Sequence, residues 1–264
     1  MKAVILAAGY QTRLEKDLAA LSEEDAPYQI LNGRPKALLP LKGGVLLDHL
    51  LAQIKNSGIE EIYIVTNGKY YPQFCSWAQG RNFALDHIIN DGTLTNEQRK
   101  GALVDLELVV RSLPDDLLVV AGDIVFYPHF ELKQMVQDYH DNPRPLIAMY
   151  QEYGDTSRRG IVEVCNGRVE SFIEKPASGT TTSRLASTAC YVLPLFAAAR
   201  LQEYLSQTQT LAERDAPGHF IAWLHTQMPV YAFEIPGRFD FGSLDDYQKM
   251  ESELSKSELL KIPL

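Results

Sequence analysis

Apolar positions along the chain follow two rhythms. Residues 2–7 form a continuous apolar run ending at a glycine-containing turn, the pattern of a strand buried on both faces of a parallel sheet. Residues 45–56 set Leu46, Leu47, Leu50, Leu51 and Ile54 along one side of a helix that Gly58 stops. Residues 59–66 then read as a strand, 71–78 as a helix, 85–89 as a strand and 101–113 as a helix ending before Pro114. Residues 117–121 are a short, wholly apolar strand followed by the turn Gly122-Asp123. This alternation predicts an α/β fold, a mostly parallel sheet with helices on both faces. Beyond residue 144 the rhythm changes. Residues 146–151, 161–164, 169–172 and 188–193 are strand-like with short polar turns, and Asn166-Gly167 is a hairpin signal, so a small antiparallel extension is expected. Residues 197–205 and 220–226 read as helices. A last helix from about Leu244 is expected to pack across the sheet and fray near Pro263.

Composition narrows the picture without redrawing it. A chain of 264 residues, 45% hydrophobic and 22% charged, is neither disordered nor fibrous, and no internal repeat or linker divides it. Its apolar runs fall far short of the ~20 residues of a membrane span, and its first residues lack a signal-peptide pattern, which favours the cytoplasm. A formal charge of −9 excludes the basic face a nucleic acid needs but leaves a mononucleotide open. Cys75, Cys165 and Cys190 are odd in number and far apart, so neither a disulfide framework nor a metal cluster is expected. Cys165 and Cys190 lie in apolar runs and are expected to be buried.

Five segments carry candidate chemistry. In an open parallel sheet ligands bind beyond the carboxyl ends of the strands, where the loop Leu6-Ala7-Ala8-Gly9-Tyr10-Gln11-Thr12-Arg13-Leu14 lies. Its small residues let backbone N–H groups approach phosphate, and Arg13 adds a fork of donors, although many such loops are only turns. The loop matches neither the P-loop nor the dinucleotide fingerprint. Lys36, between Pro35 and Pro40, is either a surface cation or one poised in an extended stretch. Asp123 follows a uniformly apolar strand and suits Mg²⁺ shared with phosphate oxygens, the alternative being a turn cap. Glu174-Lys175-Pro176 ends a strand, and the pair could accept sugar hydroxyls and neutralise a phosphate, or simply face solvent. Asp240, within Arg238-Phe239-Asp240-Phe241-Gly242, is expected to be enclosed and to need a cationic partner, for which a metal would serve.

In this order and at these distances, the five segments resemble the sugar-1-phosphate nucleotidyltransferases, and the resemblance spans nearly the whole chain. It implies a Rossmann-like sheet and an enzyme that joins a nucleoside triphosphate to a sugar or cyclitol 1-phosphate with Mg²⁺, releasing pyrophosphate. It also implies one domain over 1–264, residues 1–143 serving the nucleotide and 144–264 the acceptor. By that likeness Arg13, Lys36 and Asp123 would carry catalysis. Leu6, Ala8, Gly9, Gln11 and Thr12, with Asn90 and Asn96, would hold the nucleotide. Gly160, Glu174 and Lys175 would hold the acceptor, and Asp123 with Asp240 would hold Mg²⁺. Relatives commonly assemble, so a homo-oligomer is within the resemblance. No nucleic acid or membrane partner is implied.

The chain departs from the family pattern in three places. Gln11 stands where the family has its second loop glycine. The stretch between Leu14 and Pro35 is long and acidic, with Glu15, Asp17, Glu23, Glu24 and Asp25, and reads as a solvated insertion or a flap over the site. The region from Asn90 to Ala102 lacks the Gln-x-x-x-x-Gly spacing of uridylyl and thymidylyl enzymes. Asn90-Asp91 and Asn96 look more like the cytidylyltransferases that act on phosphocholine and related phospho-alcohols. Some relatives are non-catalytic regulatory subunits; retention of Asp123 and Asp240 argues for turnover, Gln11 for a sensor.

Overall fold

The computed structural model describes residues 1–21, 26–127 and 129–256. The apolar run at the start forms β1 (Lys2–Leu6), whose Ala3, Val4 and Ile5 have no exposed surface. A small hairpin, β2 (Pro40–Leu41) with β3 (Gly44–Val45), comes next, followed by β4 (Ile62–Thr66), β5 (Ile88–Asn90) and β6 (Leu117–Ala121). β5, β4, β1 and β6 lie side by side and parallel, with Ile5 opposite both Ile64 and Val120. α1 (Thr12–Ala19), α2 (Leu46–Asn56), α3 (Tyr71–Gln79) and α4 (Ala102–Ser112) connect them.

The period-two alternation of β1 divides the core. Ala3 and Ile5 pack with α2 and α3 on one face, whereas Val4 packs with Leu103, Leu106 and Val109 of α4 on the other. Helices thus cover both faces of these four parallel strands, as the alternation predicts. β7 (Ile124–Phe126) and α5 (Leu132–Asp141) follow. Then come β8 (Leu146–Gln151), the hairpin of β9 (Gly160–Cys165) and β10 (Arg168–Glu174), and the long β11 (Leu185–Leu193). Four helices, α6 (Leu195–Ala198), α7 (Leu201–Gln207), α8 (Ala212–Asp215) and α9 (Gly218–Gln227), precede β12 (Tyr231–Glu234), β13 (Arg238–Asp240) and α10 (Leu244–Lys256). The main sheet runs β5-β4-β1-β6-β11-β8-β12-β10-β9 and is mixed, with four parallel and five antiparallel pairings among the described residues, so the antiparallel part is larger than the small extension expected.

β11 organises the second half. Its residues 190–193 pair with β6, while Leu185, Ala186 and Ser187 pair with both β8 and β9. The β9–β10 hairpin is therefore set just beyond the carboxyl end of β6, where Gly160 faces Ser187. The β11–β9 pairing also closes β11, β8, β12, β10 and β9 into a ring.

The structure departs from the sequence reading at several elements. Residues 85–87 form a turn of 3-10 helix, and the strand begins only at Ile88, because Leu-Asp-His interrupts the apolar run and Leu85 stays exposed. The helix expected over 197–205 is two, α6 and α7, with Arg200 at the join. α10 packs on α1, through Leu14 and Leu18, and on β13, not across the main sheet. Cys190 is buried as expected, but Cys165 is exposed, because it ends β9 at the tip of the hairpin. Part of the acidic stretch after Leu14 is α1, and residues 26–31 form a 3-10 segment. Glu23, Glu24 and Asp25 lie outside the described residues, as does Pro263. No helix among the described residues is long and apolar enough to cross a membrane.

Candidate active site

The loop after β1 is held from below. Ala7 N–H donates to Val65 O at 2.8 Å and Asn67 Nδ2 to Ala8 O at 2.9 Å, which fixes Ala7-Ala8-Gly9 against β4. A Cβ on Gly9 would meet nothing within 4 Å, so the protein itself does not demand glycine there; the space above it is open. Gln11 begins α1 in the left-handed region, φ 47°, an uncommon conformation for a residue with a Cβ. Its side chain is only 7% exposed and donates from Nε2 to Tyr70 Oη at 3.1 Å, and Tyr70 in turn donates to Glu15. Gln11 Oε1 is buried without a partner.

Above this loop lies a cavity of about 250 Å³. Leu6, Ala8, Gly9, Gln11, Lys36 and Asp123 all contribute to its wall, as does Gly122. Lys36 Nζ pairs with Asp123 Oδ2 at 3.1 Å. The other side of the wall comes from Asp91, Arg99, Gly101, Ala102, Asp105 and Asp215. Of these, Asp91, Arg99, Gly101 and Ala102 fall in the Asn90–Ala102 region that the sequence points to, whereas Asp105 and Asp215 lie outside it. Not every anticipated residue is gathered here. Arg13 and Thr12 are exposed; Arg13 lies beside Gly242, and Thr12 lines a separate hollow with Asn96. Asn90 turns its Oδ1 to the N–H of Gly92 at 2.8 Å.

The second carboxylate arrives through a local ladder. β13 pairs antiparallel with β7, setting Asp240 opposite Ile124, and Phe241 N–H donates to Asp123 O at 3.3 Å. Asp123 and Asp240 thus sit on adjacent chain segments, Asp123 in the wall of this cavity and Asp240 outside it. Asp240 Oδ2 accepts from Arg159 and lies 3.3 Å from Arg238 Nη1. Burial alone would raise its carboxyl, but Arg238, Arg159 and Lys36 outweigh burial and hold it below the usual carboxylate range. The cationic partner anticipated for Asp240 is a pair of arginines.

A second cavity, about 140 Å³, shares Ala189 and Pro217 with the first. Gly160 and Glu174 line it, with Arg159, Arg238 and Asp240. Burial pushes the Glu174 carboxyl above its ordinary value, with Lys175 opposing. Two glycines make room for that carboxylate. A Cβ on Gly218 would collide with Glu174 Oε2, and one on Gly160 would come 2.9 Å from it and 2.6 Å from Phe172. Lys175 is exposed, in the left-handed region at φ 50°, and its N–H donates to Arg159 O at 2.9 Å.

The model of a family described as nucleotidyl transferase matches residues 2–257. The chain belongs to that family. This nucleotidyltransferase is similar to the UTP–glucose-1-phosphate uridylyltransferase of Staphylococcus haemolyticus, 26% identical over 296 aligned residues that cover 98% of this chain and 96% of that one. It is also similar to the bifunctional protein GlmU of Methanococcus maripaludis strain C7, 25% identical over 194 residues, or 73% of this chain. The match spans only 40% of that longer relative's length. Among solved structures it superposes on a UDP-glucose pyrophosphorylase complexed with UDP-glucose, with a TM-score of 0.74 and 19% identity, over 97% of this chain and 98% of that one. At that identity the superposition speaks for the fold alone.

Proposed function

We propose that this nucleotidyltransferase joins a nucleoside triphosphate to a sugar or cyclitol 1-phosphate, giving a nucleoside diphosphate sugar and pyrophosphate. The observation that carries the reading is a pair of adjoining cavities that share Ala189 and Pro217, one floored by the Ala7–Gln11 loop and lined by the Lys36–Asp123 pair, the other lined by Glu174 and by Asp240 from the segment laddered beside Asp123. The first suits a triphosphate and the second a phosphorylated hydroxyl compound.

The residues fit Mg²⁺. Asp123 and Asp240 offer oxygen only, each with its Oδ2 held by protein cations that a metal would share or displace, and among the described residues no group of three or more His, Cys, Asp or Glu forms a protein-only cage. Mg²⁺ favours such a site, taking one or two carboxylates and completing its shell with substrate phosphates and water. When bound, it would neutralise charge on the triphosphate oxygens.

A phosphate monoester, with a second pKa near ~6, is already a nucleophile at neutral pH and needs no general base. Its oxygen attacks the α-phosphorus, forming a P–O bond as the bond to the β-phosphate bridging oxygen breaks, and the electron pair leaves with pyrophosphate. The protein's part is positioning and charge neutralisation. Leu6, Ala8, Gly9 and Gln11 frame the triphosphate, while Thr12, Asn90 and Asn96, which lie outside this cavity, have no part in holding it. Lys36 supplies positive charge from the cavity wall, and Arg13, outside the wall, only from a distance. Glu174 accepts acceptor hydroxyls, Gly160 offers its backbone, and Lys175 meets the acceptor phosphate. The experiment is pyrophosphate release from each common triphosphate, with Mg²⁺, against sugar, cyclitol and choline phosphates. Release with a sugar or cyclitol 1-phosphate supports the reading; release with phosphocholine alone, or none from any pair, overturns it.

A further inference from the structure

The wall of the central cavity also holds three carboxylates, of which one is fully engaged within the protein and one is exposed and ion-paired. Asp91 accepts from Thr93 N–H at 2.6 Å and from Thr93 Oγ1 at 2.8 and 2.9 Å, and Thr93 is braced by the Tyr10 hydroxyl at 2.7 Å. Asp215 pairs with Arg99 at 3.4 Å. Asp105 differs. It sits in the first turn of α4, is 6% exposed and lines the cavity, yet neither of its oxygens makes a hydrogen bond among the described residues, and Oδ1 is wholly buried.

A buried carboxyl without a partner is costly, and the structure registers the cost. Burial, reinforced by Asp91 and Asp215 against Lys100, pushes its carboxyl up to about 7. Leu103, Leu106 and Val109 on the same helix are packed into the core, so an apolar residue would suit position 105 better if packing were the only demand.

A ligand donor would remove the penalty. With triphosphate against the Ala7–Gln11 loop and Lys36, the nucleoside end of the ligand has the Asp91, Gly101 and Asp105 side of the cavity left to it. A base meeting Asp105 there must present N–H groups. Cytosine, adenine and guanine do so through an exocyclic amino group. Uracil and thymine carry a carbonyl oxygen in place of that amino group and keep one ring N–H between two carbonyls, so an Asp105 held ionised by the ligand and accepting from that N–H still sets its other oxygen against an acceptor.

The geometry points to Asp105 as the residue that reads the exocyclic amino group of the nucleotide's base, selecting CTP, GTP or ATP over UTP and dTTP. This inference rests on the proposed nucleotidyl transfer. It sets the chain apart from the uridylyltransferase it resembles.

The test is calorimetric titration of the full chain, with Mg²⁺, by CTP, GTP, ATP, UTP and dTTP, repeated with Asp105→Asn. One amino-bearing triphosphate is expected to bind at least about 30-fold tighter than UTP and dTTP. Asn keeps the shape but adds an N–H that can serve a carbonyl, so in the variant the preference is expected to fall below about threefold. The wild-type chain gives a second measure that needs no variant: the preferred triphosphate is compared with its analogue lacking only the amino group, and a loss of at least about tenfold is expected. Equal or tighter binding of UTP or dTTP, an analogue that binds as well as its parent, or a folded variant with the wild-type ranking would overturn the assignment of Asp105 alone. Failure of every triphosphate to bind would overturn the proposed activity and this inference together.

Discussion

Asp123, in the turn after an apolar strand, meets a lysine 3.1 Å away, an arrangement with little structural return on a partly exposed surface and a large one if charge is to be handled there. Asp123→Asn keeps the shape and removes the charge. Turnover in the pyrophosphate assay is expected to fall at least ~100-fold with the melting temperature nearly unchanged; an unaltered rate would remove Asp123 from the machinery. Gln11 poses a different balance. Its left-handed backbone costs about 1 kcal/mol relative to glycine, and its bond to Tyr70 returns about as much. Gln11→Gly should therefore shift the melting temperature by no more than a few degrees, and a large drop would show that the Tyr70–Glu15 network depends on Gln11. Asp123 was legible in the sequence because five apolar residues and a Gly-Asp turn mark a strand end. Asp105 was not. It occupies a polar slot in an ordinary helical stripe, and only the fold shows that slot turned inward. Arg159 and Arg238 could not be assigned to Asp240 either, because their meeting depends on the β7–β13 ladder and on the hairpin beyond β6.

At the scale of elements, rhythm located most of the first half, and the misses have physical reasons. α5 carries Leu132, Met135, Val136 and Tyr139 at helical spacing, but it follows an aromatic and proline-containing segment that reads as a loop. β12 is four residues long and only partly buried, so its alternation is too short to register. The start of α9 is set by an acid from another element, since Gly218 lets it pass beside Glu174. Gly218→Ala is expected to push the Glu174 carboxylate aside. A displacement of about 1 Å at a positioning group costs on the order of 100-fold, so kcat/KM for the acceptor phosphate should fall by about that factor while nucleotide affinity holds. Equal losses for both substrates would separate Glu174 from the acceptor.

Across the whole molecule, the buried acid leaves a signature in stability. A carboxyl whose folded value rises from 3.8 to about 7 favours the native state below the lower value, and that contribution is lost as pH rises through the higher one. The wild-type chain should lose stability between about pH 4 and pH 7, by at most roughly 4 kcal/mol from this group, while Asp105→Asn shows a flatter profile over the same window. Melting curves of both at several pH values decide it, and parallel profiles would mean that Asp105 is ionised and paired at neutral pH.

One strand, β11, ties β6, which leads into Asp123, to β9, which begins at Gly160. Seen mechanically, it is a ruler: the gap between the two cavities is set by backbone registry and not by side chains that could drift. Amide protons of residues 190–193, flanked by β6 and β8, should be among the last in the protein to exchange with deuterated water. Substituting side chains in either cavity should then retune what is bound without moving the two reacting groups relative to each other.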